Sequence, residues 1–280
     1  MYRYLFGLLA VFAACFGMQS LALRASGGKT LKSESNYFSS IARIQTETQG
    51  KPRVMLLGSS MTGRLGDRAQ RFEGVANLGC DGGSAVVTLR AMDGGILPAA
   101  PLLIVEANSL SFELEGRGKE ISAAIDSRWF QLGIKAPNLG ATARPAAFGY
   151  SLLMSRMPGS APGTGNESLP LQSRPAVLDP ALSAELNPNE RALVEEISGI
   201  LNRLENRGSK ILLVMLPPGT DEDSVQTKIA KAVAAKSGVP WWDLNEGLPA
   251  GSVGFSDGLH LDAPSAQKVM LTLLREAKTP

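Results

Sequence analysis

The chain has 280 residues, 44% of them hydrophobic and 19% charged, which is the composition of a globular protein with a substantial core. Lys and Arg number 28 against 26 Asp and Glu, so the formal net charge is +2. The sequence contains no cluster of Lys and Arg interleaved with aromatic residues. We therefore predict no binding to nucleic acid.

The N-terminus carries an apolar run from Tyr4 to Leu23 without a charged residue. About 20 such residues are enough to cross a bilayer as a helix. We predict that residues 1–24 form a membrane anchor or a signal peptide, with Ser20-Leu21-Ala22 as the cleavage site in the second case. A lipoprotein site at Cys15 is a third alternative.

Basic residues flank both ends of this run, so charge does not fix the orientation of the chain in a membrane. The extracytoplasmic location that we predict depends on the signal-like start alone. Cys80 is the single cysteine outside the apolar run, so the rest of the chain cannot form an intramolecular disulfide.

The next segment, 25–51, is polar and predicts a tether with one short helix, leaving 52–280 as the predicted catalytic domain. Short apolar runs predict five strands, at 53–57, 75–78, 102–107, 210–216 and 239–244. Helical spacing predicts helices at 84–92, 189–207, 222–236 and 263–278. Strands separated by helices predict an α/β fold with a parallel sheet and helices on both faces.

One segment, 111–188, does not fit this alternation because it is rich in Gly and Pro, with the least regular pattern from Met157 to Pro180. A long irregular insert in a compact domain is usually a binding loop or lid, or is disordered. Both interpretations remain open at the level of the sequence.

Polar or glycine residues follow four of the predicted strands. They are Ser60, Gly82, Asn108 and the pair Asp257 and His260. Loops that leave the carboxyl ends of parallel strands gather at one edge of the sheet, where ligands bind. We therefore expect these groups to meet in one site.

His260 is the only histidine in the chain, and an imidazole is the side chain best suited to general base work near neutral pH. In a serine-nucleophile site, Ser60 attacks a carbonyl carbon, His260 accepts its proton and Asp257 orients the imidazole. The backbone N–H groups of Ser60 and Gly82 and the amide of Asn108 are the candidate oxyanion donors. A helix-entry histidine on the surface is the alternative for His260.

Four blocks of the sequence resemble those of the SGNH (GDSL-type) hydrolases. They are Gly58-Ser59-Ser60-Met61, Asn77 to Gly82, Glu106-Ala107-Asn108-Ser109 and Asp257-Gly258-Leu259-His260. The resemblance spans about residues 53–278. It implies a three-layer α/β/α fold with a parallel, flavodoxin-like five-stranded sheet, and it implies the same roles for the site residues.

The blocks also depart from the family pattern, because Ser59 replaces the usual Asp, and Glu106 and Ser109 replace the Gly and Asp beside the block asparagine. These changes leave the five chemical groups in place but alter their supports. Ser59 is an alternative nucleophile, and we favour Ser60 from its place in the block.

Other kinds of site have less support. The segment after Gly58 lacks the second glycine of a Gly-x-Ser-x-Gly elbow, and no phosphate-binding loop ends in Gly-Lys-Ser/Thr. The acidic cluster 221–223 opens a predicted helix, where acids favour the dipole, so we predict no metal and no cofactor. Trp241-Trp242 either stacks on a sugar or lies inside a strand, and we favour the strand.

Three functional hypotheses follow from the sequence. The first is an extracytoplasmic serine esterase that removes acyl groups, above all acetyl, from an envelope carbohydrate or similar ester. The second is an O-acyltransferase that uses the same acyl-enzyme, since the resemblance includes envelope-anchored relatives that acetylate polysaccharides. The third is a binding module on a decayed hydrolase scaffold.

Overall fold

A computed structural model describes residues 2–25, 33–65, 72–156, 167–171, 173–180 and 186–276 of the chain. The fold is α/β, with a sheet of five parallel strands in the order β2-β1-β3-β4-β5. This is the order of flavodoxin-like doubly wound sheets. The strands are β1 (Val54–Leu57), β2 (Val75–Asn77), β3 (Leu102–Glu106), β4 (Lys210–Met215) and β5 (Trp241–Asp243).

The predicted five-stranded parallel sheet is thus confirmed, and each strand lies within two residues of its predicted bounds. The central strands are buried along nearly their whole length, which explains why they read as continuous apolar runs. Trp241 and Trp242 are 6% and 4% exposed within β5, so the strand interior is their location.

Ten α-helices accompany the sheet in the described part of the chain. They are α1 (Tyr2–Ala25), α2 (Asn36–Glu47), α3 (Ser60–Arg64), α4 (Ala85–Asp93), α5 (Lys119–Ile125), α6 (Arg128–Lys135), α7 (Pro145–Arg156), α8 (Pro188–Asn206), α9 (Val225–Ser237) and α10 (Ala263–Glu276). Side-chain caps fix several of their starts. In α8, for example, Asn187 and Glu190 form a capping box.

Helices cover both faces of the sheet. Successive strand residues point to opposite faces, so Met55 and Leu57 belong to one core cluster and Leu56 to the other. The first cluster is shared with α2, α4, α8 and α9, and the second with α10. This arrangement agrees with three layers in which the sheet lies between two layers of helices.

The segment predicted as a polar tether with one short helix, 25–51, contains a helix at Asn36–Glu47, but this helix is packed into the domain. There the chain forms α2, whose Ile41 and Ile44 are fully buried in the first core cluster. Several of its polar side chains are buried as well, Arg43 and Gln45 among them, because each has a partner elsewhere in the domain. Helix α2 is therefore part of the folded domain.

The segment 111–188 is also more regular than the sequence indicates. Helices α5, α6 and α7 lie between residues 119 and 156, together with 3-10 helices at Leu110–Glu115, Pro137–Leu139 and Ala141–Ala143. The stretch from 167 to 180 has no helix or long strand in its described residues, apart from a bridge between Ala176 and Trp241. Within the part predicted to be least regular, Met157 to Pro180, residues 157–166 and 172 lie outside the described residues.

Helix α1 is long and apolar enough to cross a membrane, although a signal sequence has the same properties. Its N-terminal and middle residues are exposed, whereas Leu23 near its C-terminal end is only 8% exposed. This end of α1 contacts α7 and the 3-10 helices Pro137–Leu139 and Ala141–Ala143.

Candidate active site

The candidate nucleophile lies on the turn that joins β1 to α3. Ser60 is the first residue of α3, and Ser59 is its N-cap, with its hydroxyl accepting a hydrogen bond from the Met61 N–H. Strand β1 lies between β2 and β3, where the strand order reverses. Open parallel sheets bind ligands at this switch point, outside the carboxyl ends of the strands.

Ser60 and His260 are 200 residues apart in sequence, yet Ser60 Oγ lies 2.9 Å from His260 Nε2. On the other side of the ring, His260 Nδ1 lies 2.8 Å from Asp257 Oδ2 and 3.0 Å from Oδ1. If Nδ1 carries the proton and donates to the carboxylate, Nε2 is free to accept the hydroxyl proton of Ser60. The three side chains are thus in the order that a serine nucleophile requires.

A tight loop positions His260 and Asp257 relative to each other. Asp257 Oδ1 accepts hydrogen bonds from the backbone N–H groups of Leu259, at 3.2 Å, and His260, at 2.8 Å. The carbonyl of His260 accepts a hydrogen bond from the Ser256 N–H, which closes the base of the loop. The loop leads directly into α10, so its position is tied to the second core cluster.

The backbone N–H and the imidazole of His260 hold the pKa of the Asp257 carboxyl well below its usual range. Arg64, one turn after Ser60 in α3, adds an ion pair at 3.1 Å from Asp257 Oδ2. Both of these side chains are 45% exposed, so water screens the pair and its energy is small. Its geometric effect is a link between the nucleophile helix and the Asp257 loop.

A buried carboxylate, that of Glu106, supports the nucleophile turn from the end of β3. Its Oε2 accepts hydrogen bonds from the backbone N–H groups of Ser59 and Thr62, both at 3.0 Å, and from the Thr62 hydroxyl at 2.6 Å. Its Oε1 accepts a hydrogen bond from the Ser59 hydroxyl at 2.7 Å. Each of the four partners carries an N–H or O–H that can donate to the carboxyl oxygens.

This network separates the roles of the two adjacent serines. Ser59 is 3% exposed and its hydroxyl is bonded to Glu106, whereas Ser60 is half-buried and its hydroxyl faces His260. The two departures from the family blocks, Ser59 and Glu106, are therefore direct hydrogen-bond partners. Between them they supply a hydroxyl and a carboxylate at the turn where the family pattern has one aspartate and one glycine.

Two backbone N–H groups can serve an oxyanion. Neither the Ser60 N–H nor the Gly82 N–H has a hydrogen-bond partner among the residues that the structure describes. Gly82 has a φ of 77°, which favours glycine, and a Cβ at this position would meet open space. Its exposed backbone borders the same cavity as Ser60.

The amide of Asn108 is not available as the expected third donor. Its Nδ2 donates to the carbonyls of Leu216, at 3.0 Å, and Pro218, at 3.5 Å, and its Oδ1 accepts from the Leu216 N–H at 2.8 Å. Asn108 is 4% exposed and pairs with the backbone where the chain leaves β4. In this structure it joins the ends of β3 and β4, which leaves the backbone N–H groups of Ser60 and Gly82 as the candidate oxyanion donors.

Helix α2 holds the loop that carries Gly82. The Arg43 guanidinium pairs with both carboxylate oxygens of Asp81, at 3.2 and 3.1 Å, and also donates to the Gly79 carbonyl. The Ser40 hydroxyl accepts a hydrogen bond from the Asp81 N–H at 2.8 Å. A Cβ on Gly63 of α3 would collide with this ion pair, so glycine is required there.

A cavity of about 840 Å³ opens beside these groups. Ser60, Gly82 and His260 line it at one place, and polar side chains of α2 and α7 line it elsewhere, including Asn36 and Tyr150. The described residues contain no group of three or more His, Cys, Asp and Glu side chains that could hold a metal ion. The cavity therefore offers a mixed polar and apolar wall around a serine and an imidazole.

The supporting residues Glu106, Arg43 and Ser40 are the ones that reasoning from the sequence did not assign. Glu106 had a signal, since a carboxylate at the end of a buried strand needs a partner. Arg43 had no comparable signal, because α2 looked like part of a polar linker.

Comparison of the chain with protein-family models, with curated proteins and with solved structures finds no match. The resemblance to the SGNH (GDSL-type) hydrolases therefore rests on the four sequence blocks alone.

Proposed function

We propose that this protein is a serine ester hydrolase that acts through an acyl-enzyme. The observation that carries the proposal is the alignment of three side chains: Ser60 Oγ 2.9 Å from His260 Nε2, and His260 Nδ1 2.8 Å from Asp257. Nothing in the packing of an α/β fold requires a serine, an imidazole and a carboxylate to align at a strand edge.

In the proposed reaction, Ser60 Oγ attacks the ester carbonyl carbon while its proton passes to His260 Nε2. The negative oxygen accepts hydrogen bonds from the N–H groups of Ser60 and Gly82, and Asp257 stabilises the imidazolium. The alcohol leaves with the proton from His260. Water then attacks the acyl-enzyme by the same route and releases the acid, so one ester and one water give one acid and one alcohol.

The wall of the cavity supports a polar alcohol portion for the substrate. Amide, hydroxyl and charged groups line part of it, including Asn36, Arg43, Asp81 and Tyr150, and such groups can form hydrogen bonds with the hydroxyl groups of a carbohydrate. Acetyl is the acyl group that we propose, following the resemblance stated above. We further propose that α1 anchors the protein in a membrane with the domain on the extracytoplasmic side.

Labelling with a fluorophosphonate tests the nucleophile. We expect the full-length protein in detergent to be labelled, the Ser60→Ala variant to remain unlabelled, and Ser59→Ala to be labelled. Absence of labelling in the wild-type protein would refute the esterase and favour the binding module.

Hydrolysis is then separated from transfer with an activated acetyl ester, in the presence and absence of an oligosaccharide acceptor. Free acetate in both cases supports the hydrolase, because water reaches the acyl-enzyme. Acetyl on the sugar instead makes the same site that of an O-acyltransferase.

A further inference from the structure

Large exposed hydrophobic side chains are concentrated on two helices of the domain. Outside α1, the described residues include eight such side chains, and four of them lie on α6 and α7. They are Trp129 at 36%, Leu132 at 46%, Leu152 at 45% and Leu153 at 61% exposed. Single exposed hydrophobic residues are common, but a concentration of them marks an interaction surface.

Helix α6 has the pattern of a helix that lies at a membrane surface. Its inner face is buried through Phe130, whereas Trp129 and Leu132 are exposed. Arg128 and Lys135, also exposed, place a positive charge at each end of this face. Aromatic and leucine side chains flanked by basic residues suit the boundary between headgroups and acyl chains.

Both helices border the end of α1. Helix α7 contacts α1 directly, and α6 contacts the 3-10 helix Pro137–Leu139, which itself contacts α1. At about 1.5 Å per residue, the 24 residues of α1 span about 36 Å, against about 30 Å for the hydrocarbon core of a bilayer. Roughly the last turn of α1 thus lies outside the hydrocarbon, and this is the part that carries the buried Leu23.

We propose that the exposed faces of α6 and α7 rest on the surface of the same bilayer that α1 enters, and that anionic phospholipid is the partner of Arg128 and Lys135. This inference depends on the proposal that α1 is a membrane helix and is independent of the proposed ester hydrolysis. It gives the domain a fixed side towards the membrane. Tyr150 of α7 lines the cavity, so the cavity reaches the helix that borders the membrane.

Tryptophan fluorescence offers a direct test, because Trp129 is the only exposed one of three tryptophans. The full-length protein is reconstituted into vesicles that contain anionic phospholipid, with or without brominated acyl chains that quench nearby indoles. We expect brominated lipid to quench the wild-type emission and to leave the Trp129→Phe variant unquenched. We also expect weaker quenching when zwitterionic lipid replaces the anionic lipid.

Two matched indoles on the Trp129→Phe background control for access of the quencher. Leu132→Trp adds an indole to the proposed membrane face, and Val177→Trp adds one at a site that is 62% exposed, near the opposite edge of the sheet at β5. Quenching is expected for the first and not for the second. Equal quenching of both would overturn the proposal.

Resistance to carbonate extraction distinguishes failure of the proposed membrane face from failure of the proposed α1 anchor. If α1 stays inserted and Trp129 is not quenched, the membrane face is refuted while the anchor stands. If carbonate releases the protein, the anchor is refuted and the membrane face with it. Fluorophosphonate labelling of Ser60 reports on the proposed activity independently in each sample.

Discussion

The carboxylate of Glu106 is the support of the nucleophile turn that the structure allows us to test most sharply. The Glu106→Gln variant keeps the shape of the side chain and removes its charge. A hydrogen bond to a charged group contributes about 1.5–3 kcal/mol, against about 0.5–1.5 kcal/mol for a neutral pair. The amide oxygen can retain the three donors that surround Oε2, but only as neutral bonds.

The free energy of unfolding therefore falls by about 1 kcal/mol for each of these three hydrogen bonds. The new amide also faces the Ser59 hydroxyl, which must change from donor to acceptor. A neutral amide costs less to bury than a carboxylate, and this offsets part of the loss. We expect Glu106→Gln to lower the free energy of unfolding by about 1–3 kcal/mol.

We also expect fluorophosphonate labelling of Ser60 to slow by about tenfold or more, because the amides on both sides of Ser60 lose their fixed position. Urea unfolding measures the first effect, and the labelling rate without urea measures the second. Glu190→Gln is the matched control, since it is a buried capping-box glutamate in α8 and glutamine fills that role equally well.

Labelling of Glu106→Gln at the wild-type rate would refute the reasoning, whatever its stability. Equal slowing in Glu190→Gln would show that loss of a buried carboxylate elsewhere in the domain, and not the turn at Ser60, is enough to slow labelling.

Three further predictions concern other supports of the site. Asp257→Asn should lower turnover of an activated acetyl ester by about 10³–10⁴, because an amide facing Nδ1 favours the His260 tautomer that cannot accept a proton at Nε2. Asn108→Ala should lower the free energy of unfolding by about 2–4 kcal/mol in urea, because it leaves the buried N–H and carbonyl of Leu216 unpaired, with Ser60 labelling near the wild-type rate. Burial raises the pKa of the Cys80 thiol from its ordinary 9.0 to about 12. The neutral thiol therefore stabilises the fold below pH 9.0, and this stability is lost as the pH rises from 9.0 towards about 12. Urea unfolding from about pH 8 to about pH 10 should therefore show a loss about 1 kcal/mol larger in the wild type than in Cys80→Ala.

Each of these has a contrary outcome. Unchanged turnover in Asp257→Asn would remove the carboxylate from its proposed role. A large loss of turnover in Asn108→Ala without a loss of stability would indicate that the Asn108 amide acts as an oxyanion donor after all. Identical pH dependence in the wild type and Cys80→Ala would show that the thiol does not titrate as its burial requires.

The sheet could be predicted from the sequence because strands that are buried on both faces are apolar at nearly every position. The runs at β1, β3 and β4 are apolar over nearly their whole length and end at Gly58, Glu106 and Pro217, so the bounds of these strands could be predicted closely. The proximity of Ser60 and His260 follows from the same fact, since parallel strands bring the loops at their carboxyl ends together.

The supports of the site could not be predicted, because they depend on which polar groups find each other after folding. Arg43 is buried although its segment is polar, because the Asp81 carboxylate and the Gly79 carbonyl pair with its guanidinium. Asn108 follows β3 at the same edge of the sheet as Ser60, but its side chain pairs with the backbone at the end of β4. The choice of Leu216 as its partner depends on where β4 ends, which is a property of the whole sheet.

The attachment of α2 to the loop of Gly82 determines where the chain can be shortened. A truncation that begins at residue 52, where the polar tether was expected to end, would remove Ser40 and Arg43 and leave the Asp81 carboxylate without its guanidinium. The product would keep the serine, the imidazole and all five strands, and would still lose the support of the Gly82 amide, the candidate oxyanion donor. A water-soluble version intended for crystallisation should instead start before Ser33, so that the entire second helix is retained.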